Sequence, residues 1–149
     1  MRRSELREHI FKLLFISEFN PSREMPSQLD LYLEDIPDLS EKDRDYMVGK
    51  FSKVRENLTD IDALLNEVSR GWKTRRMNRV DLAALRLAVY EVRYDEDVPT
   101  GVAINEAVEL SKRYGGDDSG SFVNGILGRV ARMKDAPESP EEADKNESE

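Results

Sequence analysis

The chain has 149 residues, no cysteine, and nearly equal shares of apolar (38%) and charged (36%) residues, the proportions of one domain with a single core and a heavily charged surface. Lack of cysteine excludes a disulfide framework and thiol chemistry, and the periodic recurrence of apolar residues excludes disorder throughout. The formal charge of −8 argues against nucleic acid only until its distribution is read: residues 135–149 hold seven acidic residues and one lysine, net −6, and leave residues 1–134 at about −2. With Pro137, Pro140 and no large apolar residue, that acidic tail is expected to be disordered.

The opening MRRSELREHIFKLLF contains a short apolar stretch, but Arg7, Glu8, His9 and Lys12 interrupt it. It is neither the core of a signal peptide nor a membrane span, so a soluble, cytoplasmic protein without a membrane partner is expected. Helical spacing governs nearly every apolar segment, and no strand-like alternation persists. The first helix is expected from about Ser4 to Phe19, with Leu6, Ile10, Leu13, Leu14 and Ile16 inward and Asn20-Pro21 as its stop. Ser27 is placed to cap a short second helix carrying Leu29, Leu31, Leu33 and Ile36. Ser40, with Asp43 three residues on, opens a third that holds Met47, Phe51, Val54 and Leu58. Thr59 with Asp62 starts a fourth, with Ile61, Leu64, Leu65 and Val68, ending near Gly71. Leu82, Leu85, Val89 and Val92 stripe a fifth from about Asn78 to Tyr94, which the acidic turn DEDVP breaks. A sixth runs roughly from Gly101 to Tyr114 and closes at Gly115-Gly116. Ser119 is well placed to cap a seventh, reading FVNGILGRVARM. Seven helices with short connections predict an all-α bundle.

Enzymatic chemistry lacks its parts. His9, the single histidine, lies inside the first helix without a nucleophile or carboxylate arranged beside it in sequence. No histidine or cysteine cluster could hold zinc, and the glycines at 115, 116, 120, 125 and 128 do not make a phosphate loop. No catalytic residue, cofactor or metal is expected, and the chain reads as a binding protein. Two basic clusters stand out: Arg2, Arg3, Arg7 and Lys12 near the start, and Arg70, Lys73, Arg75, Arg76 and Arg79 in RGWKTRRMNR, which holds no acidic residue. Guanidinium forks suit phosphate, and aromatic rings give unpaired bases a stacking surface. Tyr114 and Phe122, on either side of the Gly-Gly-Asp-Asp turn, fit stacking and core packing equally well. Trp72 is expected to pack between the two halves of the chain.

VDLAALRLAVYE, DVPTGVAINEAVELSKRYG and FVNGIL resemble three consecutive signatures of the NusB family, in family order and spacing. The opening RR…LREHIFKLLF is similar to that family's arginine-rich first helix, so the likeness spans about residues 2–130. The resemblance implies an all-α fold of two perpendicular helical subdomains, here within residues 1–134. It implies transcription antitermination through boxA, a single-stranded RNA element near the start of ribosomal RNA transcripts. The RNA would be bound as a heterodimer with NusE, which doubles as a ribosomal protein, alongside other Nus factors and RNA polymerase. Carried over residue by residue, Arg2, Arg3 and Arg7 become phosphate contacts, Asp118 and Phe122 part of the RNA surface, and Phe15, Phe19 and Asp81 the partner surface. Three positions depart from the family pattern: the N-terminal basic run is short, Ser121 replaces a frequent lysine, and Phe15 replaces a tyrosine. Asn105 and Glu106 are expected to make local hydrogen bonds, and Asn124 is open to the same reading. Two alternatives stand beside this one. A NusB-like module of a ribosomal RNA cytosine methyltransferase would need a doubly wound domain where the acidic tail stands, and a self-associating helical module would form a homodimer through Phe15 and Phe19.

Overall fold

The computed structural model describes residues 1–135; positions 136–149, on which the expectation of a disordered tail falls, lie outside the described residues. Seven α-helices follow in order: α1 (Arg3–Glu18), α2 (Met25–Glu34), α3 (Glu41–Glu56), α4 (Leu58–Val68), α5 (Arg79–Tyr94), α6 (Thr100–Gly115) and α7 (Asp117–Asp135), with 3-10 turns at Ser22–Glu24 and Thr74–Arg76. No strand occurs among the described residues, so the fold is all-α, as the spacing predicted. None of these helices is long and apolar enough to cross a membrane.

The sequence offers α5 as a striped helix, yet every residue from Asp81 to Val92 is buried. A helix covered on all sides is the axis of a core. Here α6, α7 and α1 pack against it most extensively, with α4 and α3 adding smaller contacts. Ala83, Ala84 and Ala88 sit within it at 1–3% exposure, where small side chains let neighbouring backbones approach. Around it α5, α6 and α7 form one tightly packed group, while α1 joins α5 to α3.

Helix starts follow the capping residues where those face the right backbone groups. Ser40 Oγ accepts from the Asp43 N–H at 3.1 Å, and Asn78 Oδ1 accepts from Val80 N–H at 2.8 Å. Three starts differ from expectation. Buried Met25 anchors α2 two residues before Ser27, with Pro26 in the first turn, where a missing N–H is harmless. Leu58 opens α4 instead of closing α3, which leaves Thr59 inside the helix. Gly116, at φ +95°, turns the chain so sharply that α7 begins at Asp117. The Ser119 hydroxyl then donates back to the Gly115 carbonyl at 3.3 Å instead of capping. Asp117 and Asp118 occupy the first turn of α7, where negative charge complements the helix dipole. Of the apolar residues that α2 carries, Leu33 is buried and Leu31 is 57% exposed.

Candidate nucleic-acid and partner interface

The N-terminal arginines divide into two kinds. Arg2 lies almost fully in solvent, its Nε 3.0 Å from Glu5, and such an exposed pair is weak and readily exchanged. Arg3 is exposed too, its guanidinium carbon 3.9 Å from the Tyr46 ring centroid. The terminal ammonium meets Asp43 at 3.0 Å, so the first residues of the chain are docked against α3. Arg7 is different, and here the expectation of a phosphate contact is corrected. At 5% exposure its Nε donates to both Glu91 carboxylate oxygens, at 3.0 and 3.1 Å. Burial opposes the Arg7 charge, but the hydrogen bonds and charge of Glu91 outweigh it and raise the guanidinium above its ordinary value. Lys50 reaches the same carboxylate at 2.8 Å and Asp95 at 2.9 Å. A buried cluster of two cations and two anions thus ties α1, α3 and the end of α5 together. Arg7 positions the arginine-bearing end of α1 and is a poor candidate for touching RNA.

Beyond this end, α1 meets the last turn of α6. Arg113 Nη1 lies 2.9 Å from Glu8, the Tyr114 hydroxyl donates to the same carboxylate, and the Lys12 ammonium lies 5.7 Å from the Tyr114 ring. The Tyr114 hydrogen bond, aided by Arg113, holds the Glu8 carboxyl below its ordinary value. Tyr114 also packs on Phe11, centroids 5.3 Å apart, so it serves the core and the surface together. Next to this contact, His9 Nδ1 lies 2.6 Å from the Tyr32 hydroxyl; burial, with Lys12, lowers the His9 pKa. That histidine pins α2 to α1.

The α6–α7 turn carries Asp118 into solvent. Asp118 and Phe122 are one helical turn apart and therefore share a face of α7. Phe122 is half-buried against the core, and its other neighbour is Trp72, at 6.2 Å between centroids and 78° between planes. Trp72 is not packed between the halves of the chain, as its size suggests; it is 57% exposed. The α4–α5 link sends Met77 inward, at 3% exposure, and leaves Trp72 outside, where Phe122 meets it at the surface. A tryptophan inside a ten-residue stretch without acid, RGWKTRRMNR, was the available signal.

On the partner side, Phe15 and Phe19 meet edge to face at 5.0 Å and 70°. Phe19, at the C-cap of α1, is 64% exposed, whereas Phe15 packs against the core. Beside them Glu18 accepts from Arg79 at 2.8 Å and from Arg86 at 2.5 Å, and Arg86 forks onto Asp62 at 3.0 and 2.8 Å. This ring of charge clamps α1, α4 and α5 behind the aromatic pair.

Asp81 does not fit its expected place as a surface charge. It is 6% exposed, and its Oδ1 has no hydrogen-bond partner among the described residues. Burial pushes its carboxyl above the ordinary value, with the Ser119 hydroxyl acting in the opposite direction. Its position in the first turn of α5 offers the helix dipole as partial compensation. The residue joins the start of α5 to the α6–α7 turn from below the surface.

Comparison with known proteins adds to this geometry. Residues 4–132 match the model of the NusB family. The transcription antitermination protein NusB of Agathobacter rectalis is 48% identical over 131 residues, 88% of this chain and 100% of that protein. The protein of the same name from Acetivibrio thermocellus is 47% identical over 135 residues, 90% of this chain and 91% of that protein. Among solved structures, T. maritima NusB superposes with a TM-score of 0.78 at 34% identity, over 97% of this chain and 98% of that one. A crystal structure of the antitermination factors NusB and NusE in complex with double-stranded RNA gives 0.76 at 21% identity, over 88% of this chain and 96% of that one; at that identity it speaks for the fold. With its signatures, its helix order and these likenesses in agreement, this chain belongs to the NusB family, to which the antitermination proteins it matches give their name.

Proposed function

We propose that this chain, a NusB-type antitermination factor and so a regulator and not an enzyme, binds boxA-type single-stranded RNA of ribosomal RNA transcripts as a heterodimer with NusE, in a complex with other Nus factors and RNA polymerase. The observation that carries this reading is the placement of two separate exposed features on one rigid core. Arg2 and Arg3 lie at the start of α1, with 84% of the Arg2 side chain in solvent, and the Phe15–Phe19 pair lies at its end. A helix of 16 residues holds them about 20 Å apart at 1.5 Å per residue, so one protein can engage RNA and partner together. Asp118 and Phe122 extend the RNA surface across the α6–α7 turn. A protein of the same fold has been solved with NusE and double-stranded RNA, which supports pairing the two ligands on this fold. Arg7 and Asp81 serve it as buried positioning residues. The domain would comprise residues 1–134, acting in the bacterial cytoplasm.

Transcription of a boxA-bearing leader through a terminator, with NusE and the other Nus factors supplied, tests the proposal. Read-through is expected to rise when the chain is added and to stay at its basal level when boxA is scrambled. Equal read-through on both templates would contradict it.

A further inference from the structure

The α4–α5 link holds an aromatic and basic surface that the reading above leaves unused. Arg70 and Gly71 take positive φ values of 52° and 101°, which reverse the chain directly after α4. The Ser69 hydroxyl donates to the Trp72 carbonyl, and Thr74 N–H donates to Asn66 Oδ1 at 2.8 Å. Both flanks of Trp72 are thereby fixed to α4, and Phe122 steadies its ring edge to face. The result is an indole presented on an ordered turn with 57% of the residue in water.

Basic side chains predominate around it, with Glu67 the one carboxylate lining the groove that Arg70 shares with Arg132. Arg70, Lys73, Arg75 and Arg76 are all exposed, and among the described residues none has a carboxylate within 4.0 Å. Arg129 caps the end of α4 by donating to the Val68 carbonyl at 2.8 Å, and Arg132 lines the same shallow groove as Arg70. Guanidinium forks around an exposed indole match a strand of phosphates and unpaired bases, because backbone charge and base faces alternate along it. A duplex hides its base faces and fits less well.

We propose that Trp72, supported by Phe122 and flanked by Arg70, Lys73, Arg75 and Arg76, is a base-stacking platform for single-stranded RNA. It carries the strand from the α6–α7 turn onto the α4–α5 link. The inference rests on the RNA-binding reading and extends it: Asp118 and Phe122 share one face of α7, and Phe122 hands that face on to Trp72.

Trp72 is the only tryptophan, so intrinsic fluorescence of the full chain reports on the platform itself. The chain is titrated, with and without NusE, using a boxA-type single-stranded oligoribonucleotide and the same sequence as a duplex. Single-stranded RNA is expected to quench the fluorescence more strongly than the duplex. Trp72→Ala is expected to weaken single-strand affinity on the order of tenfold, the scale of one lost stack, and Trp72→Phe to restore most of it. The double variant Arg75→Ala, Arg76→Ala is expected to flatten the salt slope by roughly 1.4, about 0.7 per phosphate contact. If RNA leaves the Trp72 fluorescence of the parent chain unchanged and Trp72→Ala keeps the parent affinity, while Arg2→Ala, Arg3→Ala still weakens binding, the platform is overturned and the RNA reading stands. If no variant, nor the parent chain, binds RNA even with NusE, both fall. Loss of NusE binding by Trp72→Ala in the absence of RNA would make the patch a protein contact and overturn the platform. Should Trp72→Ala fail to fold by circular dichroism, quenching in the parent chain and the affinity of Trp72→Phe decide the matter.

Discussion

Arg7 and Glu91, 84 positions apart in the chain, meet in the interior through two hydrogen bonds of 3.0 and 3.1 Å to one carboxylate. Lys50 shares that carboxylate at 2.8 Å, so two cations depend on it. Glu91→Gln leaves Arg7 without its close counter-charge and Lys50 with Asp95 alone, and breaking a buried pair from one side costs about 3–5 kcal/mol. Urea unfolding is expected to show a loss of that size. A loss below about 1 kcal/mol, the scale of an exposed pair, would mean that water reaches the cluster.

Phe19 stands 64% exposed beside half-buried Phe15, and the two are expected to respond differently to the same change. Phe19→Asp should leave helix content and thermal midpoint nearly unchanged while weakening the heterodimer with NusE at least tenfold, as expected of an aromatic anchor. Phe15→Asp places a carboxylate against the core and is expected to cost about 2 kcal/mol or more in stability besides. Calorimetric titration with NusE separates the two effects. Undiminished binding by Phe19→Asp would move the partner surface off this end of α1.

Asp81 offers a test in pH. Its carboxyl is raised by burial, so the folded state takes up the proton before the unfolded state does. The stabilisation from that proton is complete below the unfolded pKa and is lost as pH rises through the folded one. At neutral pH the group is therefore a buried charge that destabilises the fold. Asp81→Asn is expected to raise the thermal midpoint at pH 7 by a few degrees, on the order of 1 kcal/mol. The gain should shrink as pH is lowered into the carboxylate range. A drop at pH 7 would show that the orphaned oxygen has a partner in solution.

Leu85 lies at 0% exposure on the central helix. Leu85→Ala is expected to cost about 2–5 kcal/mol, the range for a large core side chain removed from a well-packed site. Urea unfolding measures this directly, and a cost under 1 kcal/mol would mean that the core refills the space.

The class and order of the helices were legible because their signals are local: an apolar stripe, a serine before an acidic residue, a glycine pair. Ser40 capped as expected, since its partner Asp43 follows on the same turn. Ser119 did not, because Gly116 reversed the chain three residues earlier and redirected its hydroxyl. Burial of α5 on every side escaped the stripe because tertiary partners, not periodicity, decide it. The site was legible less evenly. Arg2, Arg3 and Phe19 are exposed, for the ends of a helix tend to stay in water. Arg7 and Asp81 look like surface charges in sequence, and only the three-dimensional arrival of Glu91, Lys50 and Ser119 shows why they are buried. Trp72 inverts that error, a large ring expected inside and found outside.

Affinity for a boxA-type RNA, measured for the chain alone, for NusE alone and for the two together, tests the shared RNA surface most directly. The mixture is expected to bind more tightly than either protein. By linkage, saturating RNA should tighten the binding of NusE to the chain by the same factor. Arg2→Ala, Arg3→Ala should lower all RNA affinities and flatten the salt slope by roughly 1.4, about 0.7 for each lost phosphate contact. Equal affinity for RNA with and without NusE, and a slope that the two substitutions leave unchanged, would contradict the account.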